Sequence, residues 1–423
     1  MRIRSYALLA SAALFAACSS SGGSLTPQSP APQPNAPQTL SHGSPVSATV
    51  ITPVNVGTAG NEPLITGAPD GTLYISALAN VYRSTDSGAS WTLVPNPTIA
   101  ATVLASDSAI SVDPGGRLYY TFDYPYAGNT AVCTSDDRGN TWNCDPAVVP
   151  GGTDRMWIVS PSNSEAFETT NEGLYQTTFL NSADRGQTWT PQAFGNAVTQ
   201  PQTGELSEYN PGTFVLQPLN ENGYIFVYRF NPAQQVNLLS DVQPTGVPSG
   251  AALPGSSMGH DGSYFVAGEG PNAAGGRQVV VGRTTDQGAS FSVLPPIPQT
   301  TKGTAAFSAI AAGASGHVGV LYYYTPDSGD PSTLTTSTWS AVYAETYNAL
   351  SATPTWRTVT LDANVHTGAL CAALSCSGDA RFAGDFISGY MDSGDNADIT
   401  WVKEDTGATT THVRFARIAP HTL

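Results

Sequence analysis

Positive charge is scarce in this chain. Its 423 residues include 16 Lys and Arg against 32 Asp and Glu, and the formal net charge is −16. The few basic residues are also scattered, whereas a protein that binds nucleic acid gathers them on one face to meet the phosphates. We therefore expect no nucleic-acid partner.

Sequence motifs for cofactors and metals are also lacking. The chain has no phosphate-binding glycine loop, no redox CxxC pair and no nucleophile elbow. Of its five cysteines, Cys133 and Cys144 have no nearby histidine, and only His366 lies near Cys371 and Cys376. Zinc sites combine cysteine and histidine at close spacing. We therefore expect neither a cofactor nor a metal.

One apolar run stands out, at the start of the chain. It extends from Tyr6 to Ala17, follows Arg2 and Arg4, and stops at small residues directly before Cys18. A membrane-spanning helix needs roughly 20 apolar residues, so this run is too short to span. A basic start, a short apolar run and small residues are typical of a secretory signal peptide, which we place at residues 1–17.

The end of this signal resembles the lipobox of bacterial lipoproteins, in the segment Leu14-Phe15-Ala16-Ala17-Cys18. The resemblance implies that Cys18 is lipidated and becomes the first residue, although Phe15 replaces the usual aliphatic residue. An ordinary signal peptide followed by a stray cysteine is the alternative. Residues 18–47 are rich in Ser, Gly, Pro and Gln and predict a disordered tether. We expect an exported protein, anchored to the membrane by lipid alone and facing outside the cytoplasm.

The remaining residues, 48–423, contain a repeated eight-residue pattern, S/T-x-D-x-G-x-x-W/F. Its copies begin at Ser84, Ser135, Ser182 and Thr284, so they are 51, 47 and 102 residues apart. The last interval equals two periods. A period near 50 in a chain rich in turn-forming residues is typical of β-propeller blades.

The residue types of this pattern suit a tight turn between two strands. The aspartate can accept bonds from the backbone N–H groups of its own turn, the glycine can adopt positive φ, and the aromatic ring can pack between sheets. We therefore interpret all four aspartates as structural. The pattern residues are Asp86, Gly88, Trp91, Asp137, Gly139, Trp142, Asp184, Gly186, Trp189, Asp286, Gly288 and Phe291.

Pairs of strands joined by a hairpin precede these turns and raise the count to seven units. The units are Leu64–Leu78, Ala109–Phe122, Met156–Thr170, Gly212–Tyr228, Ser257–Gly268, Phe307–Tyr324 and Phe386–Lys403. The sequence thus predicts an all-β protein, a single β-propeller of about seven four-stranded blades. We expect segment 48–56 to pair with His412–Ile418 and close the ring, which removes open sheet edges.

Cysteine spacing predicts two local disulfides. Cys133 and Cys144 flank one of the repeated turns, and Cys371 and Cys376 are separated by four residues. An exported protein is exposed to an oxidising compartment, where such pairs form.

The repeated turns resemble Asp-boxes, and the chain is similar to the sialidase-like (BNR-repeat) superfamily of secreted propellers. Segments Thr153–Ile158 and Arg381–Phe386 look like parts of bacterial sialidase-like proteins. True sialidases imply three arginines on the substrate carboxylate, an Asp acid/base and a Tyr–Glu pair. Here the Arg-Ile-Pro signature of the first arginine is missing, since Asn61-Glu62-Pro63-Leu64 stands in its place. Only Arg155 and Arg381 lie near the start of an inner strand.

Ligands of propellers usually bind at the mouth of the central channel, where the chain enters the inner strands. We assign ten residues to this mouth: Glu62, Asp107, Asp154, Arg155, Glu208, Tyr209, Asn210, His260, Arg381 and Asp385. The acids Glu62, Asp154, Glu208 and Asp385 are candidates for catalysis, and the others are candidates for ligand binding. For Asp154 and Arg155 an ion pair between blades is the alternative.

Two functions remain open. One is a monomeric binding or scaffold module that holds an extracellular glycan or protein at the channel mouth. The other is a sialidase-like glycoside hydrolase that uses acids among Glu62, Asp154, Glu208 and Asp385, with Glu62 and Glu208 as one candidate catalytic pair. The incomplete arginine set favours the first.

Overall fold

A computed structural model describes residues 51–58, 60–99, 107–124, 129–150, 153–172, 176–193, 202–208, 214–230, 242–250, 253–299, 302–371, 381–404 and 410–423. The strands of the first half are β1 (Val54–Thr58), β2 (Pro63–Gly67), β3 (Leu73–Ala77), β4 (Asn80–Ser84), β5 (Thr92–Leu93), β6 (Ser108–Val112), β7 (Leu118–Tyr124), β8 (Asn129–Ser135), β9 (Asn143–Pro150), β10 (Thr153–Val159), β11 (Ala166–Glu172), β12 (Gln176–Ser182), β13 (Thr190–Ala193), β14 (Gln202–Thr203) and β15 (Ser207–Glu208).

The strands of the second half are β16 (Val215–Glu221), β17 (Tyr224–Phe230), β18 (Val242–Pro248), β19 (Gly255–Met258), β20 (Tyr264–Pro271), β21 (Arg277–Thr284), β22 (Ser292–Val293), β23 (Thr304–Ala312), β24 (Val318–Thr325), β25 (Thr338–Thr346), β26 (Arg357–Thr367), β27 (Ser388–Met391), β28 (Ala397–Glu404) and β29 (Thr411–Ile418). A short 3₁₀ turn at Pro331–Thr333 is the helical element of the described residues.

These strands form seven antiparallel sheets, six from consecutive strands and the seventh from β27, β28 and β29 with β1. The sheets are the blades of a β-propeller, as the sequence predicts. Blade 1 is β2-β3-β4-β5, blade 2 is β6-β7-β8-β9, blade 3 is β10-β11-β12-β13, blade 4 is β14/β15-β16-β17-β18, blade 5 is β19-β20-β21-β22, blade 6 is β23-β24-β25-β26, and blade 7 is β27-β28-β29-β1. The first strand of each blade from 1 to 6, and β27 of blade 7, lies nearest the axis.

The last blade closes the ring with a strand from the start of the chain. β1 pairs antiparallel with β29, and Val54 lies opposite Phe415. This confirms the predicted closure and removes the two free sheet edges that an open ring would leave.

Large apolar side chains fill the spaces between neighbouring blades. Tyr119, Tyr120 and Phe122 of β7 are fully buried, as are Trp339 of β25 and Trp401 of β28. Along a strand successive side chains point to opposite faces, and both faces of a blade pack on another blade. This is why these strands are buried along most of their length rather than at alternate positions.

The repeated turns join the third strand of a blade to the fourth, and all four share one hydrogen-bond pattern. In the first, the Gly88 N–H donates to Ser84 Oγ at 2.8 Å, and the Ser90 N–H donates to Asp86 Oδ1 at 2.9 Å. The glycine has φ +86° there, a conformation that disfavours other residues. Equivalent bonds form at Asp137, Asp184 and Asp286.

Arginines on the third strands fasten these turns to the preceding blade. Arg83 of blade 1 donates to the Arg138 carbonyl of blade 2 at 2.8 Å, and Arg229 of blade 4 donates to the Gln287 carbonyl of blade 5 at 2.8 Å. Arg283 of blade 5 donates to the Ser351 carbonyl of blade 6 at 2.8 Å. The arginines of the outer edge therefore serve packing between blades.

The first disulfide is confirmed: Cys133 of β8 and Cys144 of β9 are bonded. The bridge joins the two strands that flank the second repeated turn, since the two residues lie opposite each other in the sheet. Cys371 is also disulfide-bonded, whereas its expected partner Cys376 lies outside the described residues.

The fourth blade differs from the sequence prediction. The strand pair expected as the first two strands, Gly212–Tyr228, forms the second and third strands, β16 and β17. The inner strand lies earlier, at residues 202–208, and is interrupted between β14 and β15. It escaped prediction because two short pieces separated by Gly204 show no alternating pattern. One predicted mouth residue, Glu208, changes place as a result.

Candidate functional site

Six of the predicted mouth residues meet where the chain enters the inner strands. Glu62 precedes β2, Asp107 precedes β6, and Asp154 and Arg155 lie at the start of β10. Arg381 and Asp385 belong to the turn before β27. The structure thus brings together residues from blades 1, 2, 3 and 7, and we call this group the entry cluster.

Arg155 is the centre of the entry cluster. Its Nη2 lies 2.9 Å from Asp385 Oδ2, and the side chains of Arg155 and Asp385 are only 8% and 6% exposed. Its Nε lies 3.9 Å from Asp154 Oδ2, and its backbone N–H donates to Asp107 Oδ2 at 3.1 Å. Two carboxylates, those of Asp385 and Asp154, therefore flank the guanidinium, and the carboxyl of Asp107 holds the backbone of the same residue. A second guanidinium, that of Arg381, also binds Asp385.

Glu62 supports the same cluster from the first blade. Its Oε1 accepts the Asp385 N–H at 3.0 Å, and its own N–H donates to the Ala383 carbonyl at 3.2 Å. A Cβ on Gly384 would lie 2.3 Å from the Glu62 side chain, so only glycine allows this approach. The contact links the first blade to the last, next to the closure of the ring.

Two acids of the cluster, Glu62 and Asp107, hold protons more tightly than ordinary carboxyls. Burial, followed by the charge of Asp385, raises the pKa of Glu62 to about 7. Burial, followed by the charge of Glu62, raises the pKa of Asp107 well above its usual value. The charge of Glu62 thus makes ionisation of Asp107 less favourable, and the two carboxyls titrate as a pair.

The backbone at the entry is in an uncommon conformation. Glu62 has φ +53° and Arg155 has φ +54°, in the left-handed region that bulky residues rarely adopt. The register of the pairing between β10 and β11 shifts between Asp154 and Trp157. This β-bulge changes the direction in which the Arg155 side chain points. Such strain persists where the surroundings enforce it, and it concentrates at functional sites.

Below the entry cluster the channel is filled by aromatic rings. Trp157 of β10 and Phe386 next to β27 are buried, with ring centroids 4.9 Å apart. Together with Leu64 and Phe307 they line a space of only about 20 Å³. A ligand at this mouth therefore rests on a packed floor, above which the Asp154 side chain is 42% exposed.

Two predicted mouth residues lie at the opposite end of the blades. His260 occupies the turn between β19 and β20, where its N–H donates to the Gly313 carbonyl and its Nδ1 lies 3.5 Å from Asp395 Oδ1. Glu208 ends β15, whereas Glu62 precedes β2. An inner strand of about seven residues is roughly 20 Å long, so Glu62 and Glu208 are too far apart for a glycosidase pair, which needs about 5 to 9.5 Å. The misplaced inner strand of blade 4 caused the error for Glu208.

The structure does not describe some of the other predicted residues. Tyr209, Asn210 and Cys18 fall among the residues that are not described, as does the whole segment 1–50. In the part of the chain that is described, no three His, Cys, Asp or Glu side chains are placed to hold a metal ion. Within those same ranges, no helix has the length and apolar character needed to cross a bilayer.

Sequence reasoning missed Glu205, an acid on the channel wall. It lies between β14 and β15 and lines both the small space under the rings and a wider cavity below it. Burial raises its pKa to about 8. Assigning the inner strand of blade 4 to residues 202–208 would have found it, because that strand places Glu205 on the channel wall.

Comparisons with known proteins give the fold. A structure titled YCF48 bound to D1 peptide is 13% identical, with 88% of this chain and 98% of that chain covered and a TM-score of 0.52. A polysaccharide lyase of family PL25, an ulvan lyase, is 10% identical, with 87% and 96% covered and a TM-score of 0.55. The NanB sialidase of Streptococcus pneumoniae is 10% identical, with 89% and 71% covered and a TM-score of 0.44. No protein-family model and no curated protein sequence matches the chain. The first two likenesses agree with the β-propeller fold of the chain.

Proposed function

We propose that this chain is a ligand-binding β-propeller displayed at the bacterial cell envelope, which holds an extracellular glycan or peptide at the entry cluster. The observation that carries the proposal is the engagement of both cluster arginines by Asp385. Arg155 already binds Asp385 through its Nε and Nη2, and its side chain is only 8% exposed, so little of this guanidinium is accessible to the carboxylate of a substrate. This argues against sialidase chemistry and in favour of a binding surface.

The charge of the cluster defines the ligand further. Four carboxyls, those of Glu62, Asp107, Asp154 and Asp385, face two guanidiniums. With a proton on either Glu62 or Asp107, three carboxylates still face the two guanidiniums. The mouth therefore repels anionic sugars and favours neutral sugars or segments with Lys or Arg.

The location rests on the start of the sequence. A signal at residues 1–17, a lipidated Cys18 and a flexible tether over 18–47 would hold the propeller away from the membrane. The disulfide between Cys133 and Cys144 suits an oxidising compartment and supports export. The relation to sialidase-like Asp-box proteins is part of the same proposal, supported by the four matching turns.

A second candidate, a glycoside hydrolase, is favoured by one observation. Burial raises the pKa of Glu62 to about 7, and strongly shifted acids at a cleft are candidates for general acid catalysis. Against it, Glu62 is only 5% exposed and its Oε1 is already bound to a backbone N–H.

The decisive experiment compares binding to immobilised neutral glycans, sialosides and Lys-rich peptides. Asp154→Asn removes charge from the most exposed acid of the cluster, and we expect it to weaken binding about tenfold. Asp136→Asn is the matched control, because Asp136 is 64% exposed on an outer turn. Tighter binding of sialosides than of neutral glycans would reject the proposal. Release of reducing sugar that is lost in Glu62→Gln would instead support the hydrolase.

A further inference from the structure

A cavity of about 200 Å³ occupies the end of the channel opposite the entry cluster. Blades 4, 5, 6 and 7 form its wall, with Met258, Ala312 and Met391 on the apolar part. The polar part is lined by Glu205, Ser207, Ser256, Ser257 and His260. An engineered cavity of about 150 Å³ in another protein holds a benzene molecule, so this one has room for a six-membered ring with substituents.

Glu205 is the unusual group in this cavity. The structure gives its carboxyl no hydrogen bond or ion pair to any residue that it describes. Glu205 is half-buried on the cavity wall, so its oxygens are accessible to a ligand in the cavity. With its pKa raised to about 8 by burial, the group is mainly protonated at neutral pH. It therefore offers one O–H donor and one acceptor to the cavity.

The serine hydroxyls add further hydrogen-bonding capacity. Ser257 Oγ accepts the Ala312 N–H at 3.0 Å, which leaves its O–H free to donate. Ser256 Oγ donates to the Glu205 carbonyl at 2.9 Å and keeps an acceptor site. Neutral donors and acceptors beside methionine side chains match the hydroxyl edge and the apolar face of a sugar ring.

We propose that this cavity is a second binding site, which takes one neutral sugar residue or a polyol of similar size, with Glu205 as the central hydrogen-bonding group. An anionic ligand is disfavoured, since Asp395 stands next to His260 at the cavity's edge and a ligand charge would have to be desolvated. The site is independent of the proposed function, because the rings of Trp157 and Phe386 separate it from the entry cluster.

The test uses the purified full chain and free D-glucose, D-galactose, D-mannose and N-acetyl-D-glucosamine, with binding measured by saturation-transfer NMR and titration calorimetry. We expect at least one of these sugars to bind. Glu205→Leu should weaken it at least tenfold, whereas Glu205→Gln, which keeps a donor and an acceptor, should remain within about threefold. Glu165→Gln, on the turn between β10 and β11, is the matched control and should leave binding unchanged.

The pH profile adds a readout that a purely structural role does not give. The titratable groups around Glu205 are Tyr264 of β20 and, across the cavity, Tyr390 of β27, His260 and Asp395. Binding to the wild-type chain should fall above about pH 8, where Glu205 loses its proton, and should stay flat in Glu205→Gln. Absence of binding by all four sugars, preference for glucuronate or glucosamine, or unchanged binding in Glu205→Leu would each overturn the proposal. Asp154→Asn should not affect it, so failure here is separable from failure at the entry cluster.

Discussion

The carboxyl groups of the outer turns and those of the channel have the same chemistry but opposite environments. At the outer corners, hydrogen bonds from the Thr141 side chain and backbone lower the pKa of Asp137 to about 2. At the channel, burial raises the pKa of Glu62 to about 7 and that of Glu205 to about 8. Outer acids are therefore locked as ionised acceptors, whereas inner acids can hold a proton and donate it.

This difference separates structural from functional positions. An acid that accepts several bonds from its own turn has no capacity left for a ligand, and its role is to define the corner of a blade. An acid that is desolvated with few donors stores unfavourable free energy that a ligand can relieve. The outer turns repeat because every blade needs the same corner. The residues at the start of the inner strands differ from blade to blade because a binding site needs side chains of different chemistry.

The largest expected effect comes from Arg155. Arg155→Met leaves Asp385 buried without its main cation, and we expect a loss of about 3–5 kcal/mol in the free energy of unfolding. Urea denaturation followed by tryptophan fluorescence measures it. The control is Arg138→Met on the outer edge, where Arg138 and Asp70 are 55% and 44% exposed. An exposed ion pair contributes about 0–1 kcal/mol to the free energy of unfolding. Comparable losses in the two variants would contradict the distinction between buried charges at the channel and exposed charges on the outer edge.

Two glycines with the same backbone conformation sharpen the comparison. Gly88 on an outer turn has φ +86° and Gly71 on an inner hairpin has φ +85°. A Cβ on Gly88 would meet the Phe415 ring of the last blade, whereas a Cβ on Gly71 meets nothing within 4 Å. We expect Gly71→Ala to cost about 1–2 kcal/mol from strain alone, and Gly88→Ala to cost about 1–3 kcal/mol more from overpacking. Equal costs, measured by thermal and urea unfolding, would mean that the outer corner does not pack on its neighbour.

The fold was predictable because the outer turns repeat. A turn that every blade needs recurs in the sequence at the spacing of the blades. The positions of Asp86, Asp137, Asp184 and Asp286 were enough to indicate those blades. One further turn shows the limit of this signal. Asn348 accepts the Thr355 N–H and the Thr346 hydroxyl much as an aspartate does, but three extra residues hide the pattern in blade 6.

The site was predictable only in part because it does not repeat. The start of an inner strand could be assigned from hydrophobic pattern for Glu62, Asp107, Arg155 and Asp385, and these residues do meet. Sequence could not show that Asp385 binds Arg155 across 230 positions, nor that Glu205 faces the channel from an interrupted strand. Both depend on the register of distant blades, which local patterns do not contain.

The smallest and most specific prediction concerns pH. Glu62 has a native pKa of about 7 against an ordinary value of 4.5, so between these values the native chain keeps a proton that the unfolded chain has lost. Its contribution to stability is complete below about pH 4.5 and is lost as the pH rises towards 7. Outer acids such as Asp137 behave oppositely, because their lowered pKa makes stability fall as the pH drops from about 4 to about 2.

Glu62→Gln isolates the inner contribution, because glutamine still accepts the Asp385 N–H but does not titrate. Between pH 5 and pH 6 we expect the free energy of unfolding to fall by about 1 kcal/mol more in the wild-type chain than in this variant. Asp137→Asn is the matched outer variant and should change the profile only below about pH 4. If the Glu62→Gln profile ran parallel to that of the wild type, Glu62 would be an ionised partner of the ring closure rather than a proton-holding acid of the channel.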